Sequence, residues 1–181
     1  MFTTIVAYLA FGCVLIVVAV CDVRTLTIDN RSVLLLIGLW ALWRIALGVE
    51  ASVNGFDFLV ATVEAAPLTG VSLSDGALGA IVLGGGLLVF TTLWEVVTKK
   101  SAMGGGDIKL LTAMGLFLGL VGGMIALAIA CVVFAIVGMV KQRMPVTGKP
   151  YEAILSHSAA FAPSLAIGAW MVLLFQLLSG I

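Results

Sequence analysis

Two aspartates stand where a carboxylate is costly to keep. Asp22 closes an uncharged run over residues 2–21, and Asp107 follows Gly104, Gly105 and Gly106 at the head of another. An ionisable group costs about 2.5–3.5 kcal/mol at the bilayer centre on insertion scales, so those kept at membrane depth are the first candidates for chemistry. Two carboxylates on separate helices can converge across a bundle. At ~4 Å they repel by roughly 4 kcal/mol at an effective dielectric near 20, so such a pair tends to share one proton. One member then takes a proton from water while its protonated partner polarises a scissile carbonyl. That equipment hydrolyses a peptide bond without a metal or a covalent intermediate, and its apparent pKa values belong to the pair.

The three glycines before Asp107 suit the same chemistry. They allow close backbone approach and left-handed angles. Irregular backbone at this depth is tolerated where it is buried in protein or lines a watery cavity, as in a cleft. Each aspartate also has a plainer reading. Asp22 can simply mark the water interface after the first span, and Asp107 can be an N-cap or first-turn carboxylate.

The elements that must position these residues are membrane helices. The chain is 62% hydrophobic and 10% charged, with a mean hydropathy of +1.27. Soluble domains carry about 25% charged residues, so most of this surface faces lipid. No polar stretch is long enough to fold around a core of its own, so residues 1–181 read as a single membrane-embedded domain. The N-terminus has no positively charged n-region, and 2–21 is about the length that crosses a ~30 Å hydrocarbon core, which predicts a retained first span.

The uncharged run from Leu110 to Val140 would measure about 46 Å as one helix at 1.5 Å per residue, too long without strong tilt. Gly119 to Gly123 offers a turn inside it. The expected fold is therefore all-α, a bundle of about six spans at 2–21, 33–49, 76–97, 102–120, 123–140 and 158–179. Positive-inside bias agrees. With both termini outside, the inside loops hold Arg24, Arg31, Lys99, Lys100, Lys109, Lys141, Arg143 and Lys149. The outside loop over 50–75 has no Lys or Arg and carries Glu50, Asp57, Glu64 and Asp75. Within it, 56–66 is apolar enough for a short helix along the membrane surface.

Other residues carry modest expectations. Arg44, near one end of the second span, is expected to snorkel to the interface. Cys13 and Cys131 read as small buried thiols, and with Cys21 they make no CxxC or Cys/His cluster, so no metal is expected. Glu95 and Lys99 have the i,i+4 spacing of a stabilising pair. His157 reads as an interfacial residue. No basic face suggests nucleic acid.

Three segments carry a resemblance. Gly104-Gly105-Gly106-Asp107-Ile108-Lys109-Leu110, continuing through Gly115 and Gly119, resembles the GxGD signature of the type IV prepilin peptidases. Asp22 to Asn30 resembles that family's first aspartate followed by a basic loop ending in Ile-Pro-Asn, with Asp29 in place of the proline. Phe161-Ala162-Pro163 is similar to its closing Phe-Gly-Pro segment, with Ala162 in place of the glycine. The matches run in family order and are closest to the short, peptidase-only members of the Flp/Tad type.

The resemblance implies an intramembrane aspartyl endopeptidase of a prokaryotic plasma membrane, with Asp22 and Asp107 as its catalytic pair and its site facing the cytoplasm. Gly104, Gly105, Gly106 and Lys109 would shape the substrate cleft. The implied substrate is a prepilin or pseudopilin with a basic leader and a hydrophobic helix. Pilus or secretion machinery and membrane lipid are the implied partners, with no metal or other cofactor. N-methylation of the product is not carried over, because the cysteine-rich insert of the bifunctional members has no counterpart here. The alternative from another class is a small transporter or channel subunit whose aspartates bind a cation or a proton.

Overall fold

The computed structural model describes residues 2–25, 28–64, 71–99, 103–143 and 161–179. Lys100, Lys149, His157 and residues 158–160 of the expected last span lie outside them. Every regular element among the described residues is helical. Helix α1 is Phe2–Thr25, α2 Asn30–Val53, α3 Phe58–Val63 and α4 Leu73–Ala80. A π-helical segment, Ile81–Gly86, joins α4 to α5, Leu87–Thr98, and then follow α6, Gly105–Arg143, and α7, Ala162–Ser179. Four stretches are long and apolar enough to cross a membrane: Thr3–Thr25, Asn30–Val53, Leu73–Thr98 and Gly105–Val140. Ala162–Leu178 is a shorter apolar helix. The chain is a multi-pass membrane protein.

The longest of these helices doubles back on itself. At Gly119 the backbone leaves helical angles for φ 72 and ψ −177, a conformation that glycine alone adopts without strain. A Cβ built on Gly123 would lie 3.7 Å from the Cα of Gly115. Eight residues of unbroken helix would separate the two by about 12 Å. The arms 105–118 and 120–143 therefore form a hairpin, turned at the first glycine of the segment expected to carry the turn.

Breaking a helix there strands backbone groups that water cannot reach, and the bundle supplies their partners. Tyr8 donates its hydroxyl to the Phe117 carbonyl at 2.9 Å, and the Gln176 amide donates to the Leu118 carbonyl at 3.3 Å. On the other side of the break the Asp75 carboxylate accepts from the Leu120 N–H at 3.3 Å. Asp75 also occupies the space a side chain at Gly119 would need.

An aromatic cluster centres the bundle. Phe11 stacks on Phe117 at 4.1 Å between centroids, Trp43 stacks on Phe117 at 5.9 Å, and Tyr8 meets Trp43 edge-on at 5.2 Å. Small residues let α4 lie close to the first arm of α6: a Cβ on Gly79 would come 2.7 Å from the Gly115 carbonyl oxygen. Beyond Gly86 the glycine-rich π segment hands over to α5, which is exposed except at the buried Thr91 and the half-buried Leu87 and Thr98.

Some expectations are corrected. Arg44 does not snorkel: it is 3% exposed and donates to the carbonyls of Glu64 at 3.2 Å and Val71 at 2.8 Å. Its guanidinium lies 5.1 Å from the Trp43 ring centroid. The second span is longer than expected at both ends: Asp29 caps its start, and at its far end, Val53, the Asn54 side-chain amide donates to the Glu50 carbonyl at 2.7 Å. Cys13, Cys21 and Cys131 are exposed rather than buried, and all are free thiols. Lys99 leaves the helix with φ 54, and no ion pair joins it to Glu95 among the described residues. The short helix expected within 56–66 is α3, which packs Phe58 and Thr62 over Gly48.

Candidate active site

The two aspartates come together at one end of the bundle. Asp22 lies in the last turn of α1 and is 5% exposed. Its carboxylate Oδ2 accepts a hydrogen bond from the backbone N–H of Ala162 at 3.2 Å. That donor exists because α7 begins at Ala162, where first-turn amides have no helical acceptor. Asp107 stands in the first turn of α6, half-buried, within electrostatic reach of Asp22.

Asp107 is not used as a cap. Its carboxylate has no hydrogen-bond partner among the described residues. It folds back over Gly104, where an added Cβ would sit 3.3 Å from Oδ2. The first-turn amides of α6 are therefore not what holds this acid. Two acids brought within reach of each other, one of them without a donor, form an arrangement that helix capping does not explain.

The glycines act differently from one another. None of Gly104, Gly105 and Gly106 takes a positive φ, so left-handed angles are not what this run supplies. Gly106 permits close packing: a Cβ there would come 2.9 Å from the Cβ of Ile28. Gly105 has open space around it. Lys109, one turn further along, donates its Nζ to the Asn30 side-chain carbonyl at 2.8 Å.

The substitution of Asp29 for proline has a local account. Asp29 has φ −71 and ψ 135, angles a proline would share, and its side chain accepts from the Arg31 N–H at 3.3 Å. A proline would fix the same angle; the aspartate caps α2 instead. Ala162 fits where the family has glycine because it is fully buried at ordinary helical geometry and offers only its backbone amide to Asp22. Sequence reasoning misses that amide, since every residue but proline has one and only the start of α7 aims it.

A separate apolar groove of 650 Å³ runs along the outer side of α1 and α7, lined by Ile16, Val20, Val23, Ile167, Trp170 and Met171. Its lining continues to Arg24 and Pro163, close in sequence to Asp22 and Ala162. Among the described residues no group of His, Cys, Asp and Glu is arranged to hold a metal ion.

A multi-pass helical bundle that brings two aspartates together beside a glycine run defines a class, the membrane-embedded proteins with a paired-carboxylate site. Within it, the chain belongs to the type IV leader peptidase family, whose model matches residues 9–139. It is 35% identical over 109 residues to the prepilin leader peptidase/N-methyltransferase of Aeromonas hydrophila, a stretch covering 58% of this chain and 34% of that protein. It is 28% identical over 102 residues to the protein of that name from Neisseria gonorrhoeae, covering 56% and 32%. For the Pseudomonas putida protein the figures are 33% over 107 residues, 58% and 34%. The chain thus spans about a third of the length of these curated relatives. No solved structure matches it.

Proposed function

We propose that the protein is an intramembrane aspartyl endopeptidase that removes the leader of type IV prepilin-like proteins, with Asp22 and Asp107 as its catalytic pair. The observation that carries this is the approach of two carboxylates from separate helices at one end of the bundle. Family membership adds the substrate class, since the relatives are named as prepilin leader peptidases. In this scheme the pair holds one proton. The ionised member draws a proton from water as the oxygen attacks the scissile carbonyl carbon. The protonated member donates to the carbonyl oxygen, and the proton gained by the pair then passes to the leaving amine.

The hairpin at Gly119 makes six crossings of the membrane the natural reading. Positive-inside bias then puts both termini outside and the carboxylates at the cytoplasmic face of a prokaryotic plasma membrane. A substrate presenting a basic leader in the cytoplasm and an apolar helix in the bilayer would bring its scissile bond to that depth. The proposal covers leader cleavage without N-methylation of the product.

Co-expression with a prepilin tests it. Wild-type protein removes the leader, seen by gel shift and mass spectrometry, and leaves the new terminus unmethylated. Asp22→Asn and Asp107→Asn, equally abundant in the membrane, do not cleave. Normal cleavage by either variant would sink the dyad, and a methylated product would refute the restriction to cleavage.

A further inference from the structure

The described ring contacts between α1 and α6 lie in the middle of the bundle, where Phe11 and Tyr8 meet Phe117, ten or more residues from either aspartate. Near the carboxylates α1 is joined to α6 by two routes. One is α7, whose Ala162 amide holds Asp22 while Phe161 just before it meets Phe134 of the second arm. The other is the corner at residues 28–30. There Ile28 rests on Gly106, one residue before Asp107, and Asn30 accepts from Lys109, two residues after it. The same corner is fixed to α2 by the Asp29 cap. Asp107 is thus bracketed by two contacts from a segment that begins six residues after Asp22.

We propose that the Asn30–Lys109 hydrogen bond is a clamp that sets the separation of Asp22 and Asp107, with Asn30 and Lys109 as positioning residues for the reaction. This rests on the dyad reading above. Both partners are exposed, and an exposed bond of this kind contributes little to global stability. Its use lies in geometry. The buried Ile108, Leu110 and Leu111 seat the inner face of the first turns of α6, and Ile28 rests on Gly106. The directional bond at Lys109 holds the exposed face that carries Asp107. Small misplacements of reacting groups have large kinetic costs. Lys109 therefore acts on Asp107 through Asn30, and its ammonium is turned toward α2.

The test has two readouts. Wild type, Asn30→Ala, Lys109→Met and the double variant are assayed on a synthetic prepilin-like peptide with a basic leader and an apolar helix. Each single change lowers kcat about five- to tenfold with KM within about twofold, the factor by which one charge-assisted hydrogen bond shifts a population. The double variant is no slower than the slower single one, and Asn30→Asp, which keeps an acceptor, recovers most of the rate. Multiplying losses in the double variant, a change confined to KM, or a slow Asn30→Asp would overturn the clamp.

The second readout does not need activity. In a chain whose native cysteines are alanine, Asp22→Cys and Asp107→Cys are combined and cross-linked by mild oxidation in membranes. Adding Asn30→Ala or Lys109→Met reduces the cross-linking rate several-fold, and an unchanged rate would refute the clamp. A wild-type chain that cleaves no prepilin, with cross-linking still dependent on Asn30, would refute the peptidase reading and leave the clamp standing.

Discussion

The two ends of the bundle use their ionisable residues in opposite ways. At the end holding the Gly119 turn, each buried or half-buried charge has a polar partner. Arg44 donates to two carbonyls, Asp75 accepts from Leu120 N–H, and Glu50 accepts from Thr3. These groups close the loops and repair the broken helix. At the other end two acids lie within electrostatic reach of each other, and Asp107 has no hydrogen-bond partner among the described residues. Polar groups at the first end reduce the cost of their own burial; the pair at the second end adds repulsion to it. The fold solves this problem three times at one end and leaves Asp107 without a donor at the other, which supports the proposed use of the pair in chemistry.

That contrast can be broken in order of effect. The largest change comes from the acid end: Asp107→Asn abolishes leader cleavage yet raises the thermal midpoint in detergent, followed by tryptophan fluorescence, because it removes the repulsion. A lowered midpoint would place Asp107 with the structural charges. Next is Gly119→Val, which forces a β-branched residue to positive φ against Asp75 and should cost about 3 kcal/mol or more, seen as loss of folded protein from the membrane. Arg44→Leu leaves the carbonyls of Glu64 and Val71 without their donors. It should cost about 2–3 kcal/mol and lower the midpoint, while membrane-embedded protein still cleaves at the wild-type kcat. The smallest is Asp29→Pro, which exchanges a cap of about 1 kcal/mol for a stiffer chain and should move the midpoint little in either direction. A large loss there would mean that Asp29 serves the site beyond its cap.

Much of the fold is legible in residue order because length is a hard constraint in a bilayer. The run from Leu110 to Val140 cannot cross once, and Gly119 is a glycine that can reverse it. The aspartates are legible for the same reason: charge at membrane depth is rare. The misreadings have a common cause, which is that the pattern does not say what a side chain finds when it turns inward. Arg44 lies near the expected end of an apolar run and so reads as snorkelling, but carbonyls at Glu64 and Val71 come to it from a distant loop. Cys13 and Cys131 read as buried because thiols in apolar runs usually are, yet both are exposed on the bundle. The Ala162 amide and the Asn30–Lys109 bond depend on how the ends of four helices meet. Gly84, Gly85 and Gly86 lie within the expected third span, and nothing in their order distinguishes a regular helix from a π turn.

The hairpin has a further consequence, in bilayer thickness. Arm 105–118 measures about 21 Å, well short of a ~30 Å hydrocarbon core. An arm that short cannot bring both its ends to the two surfaces of an undeformed membrane. In the proposed six-crossing arrangement the bilayer thins around it, by a mismatch that costs fractions of a kcal/mol per Å. Thinning draws headgroups and water inward toward the short helix, and Asp107 sits at its first turn. A shallow aqueous dent at that point follows from the chain reversing at Gly119, about nine ångströms of helix before a full crossing would have let it.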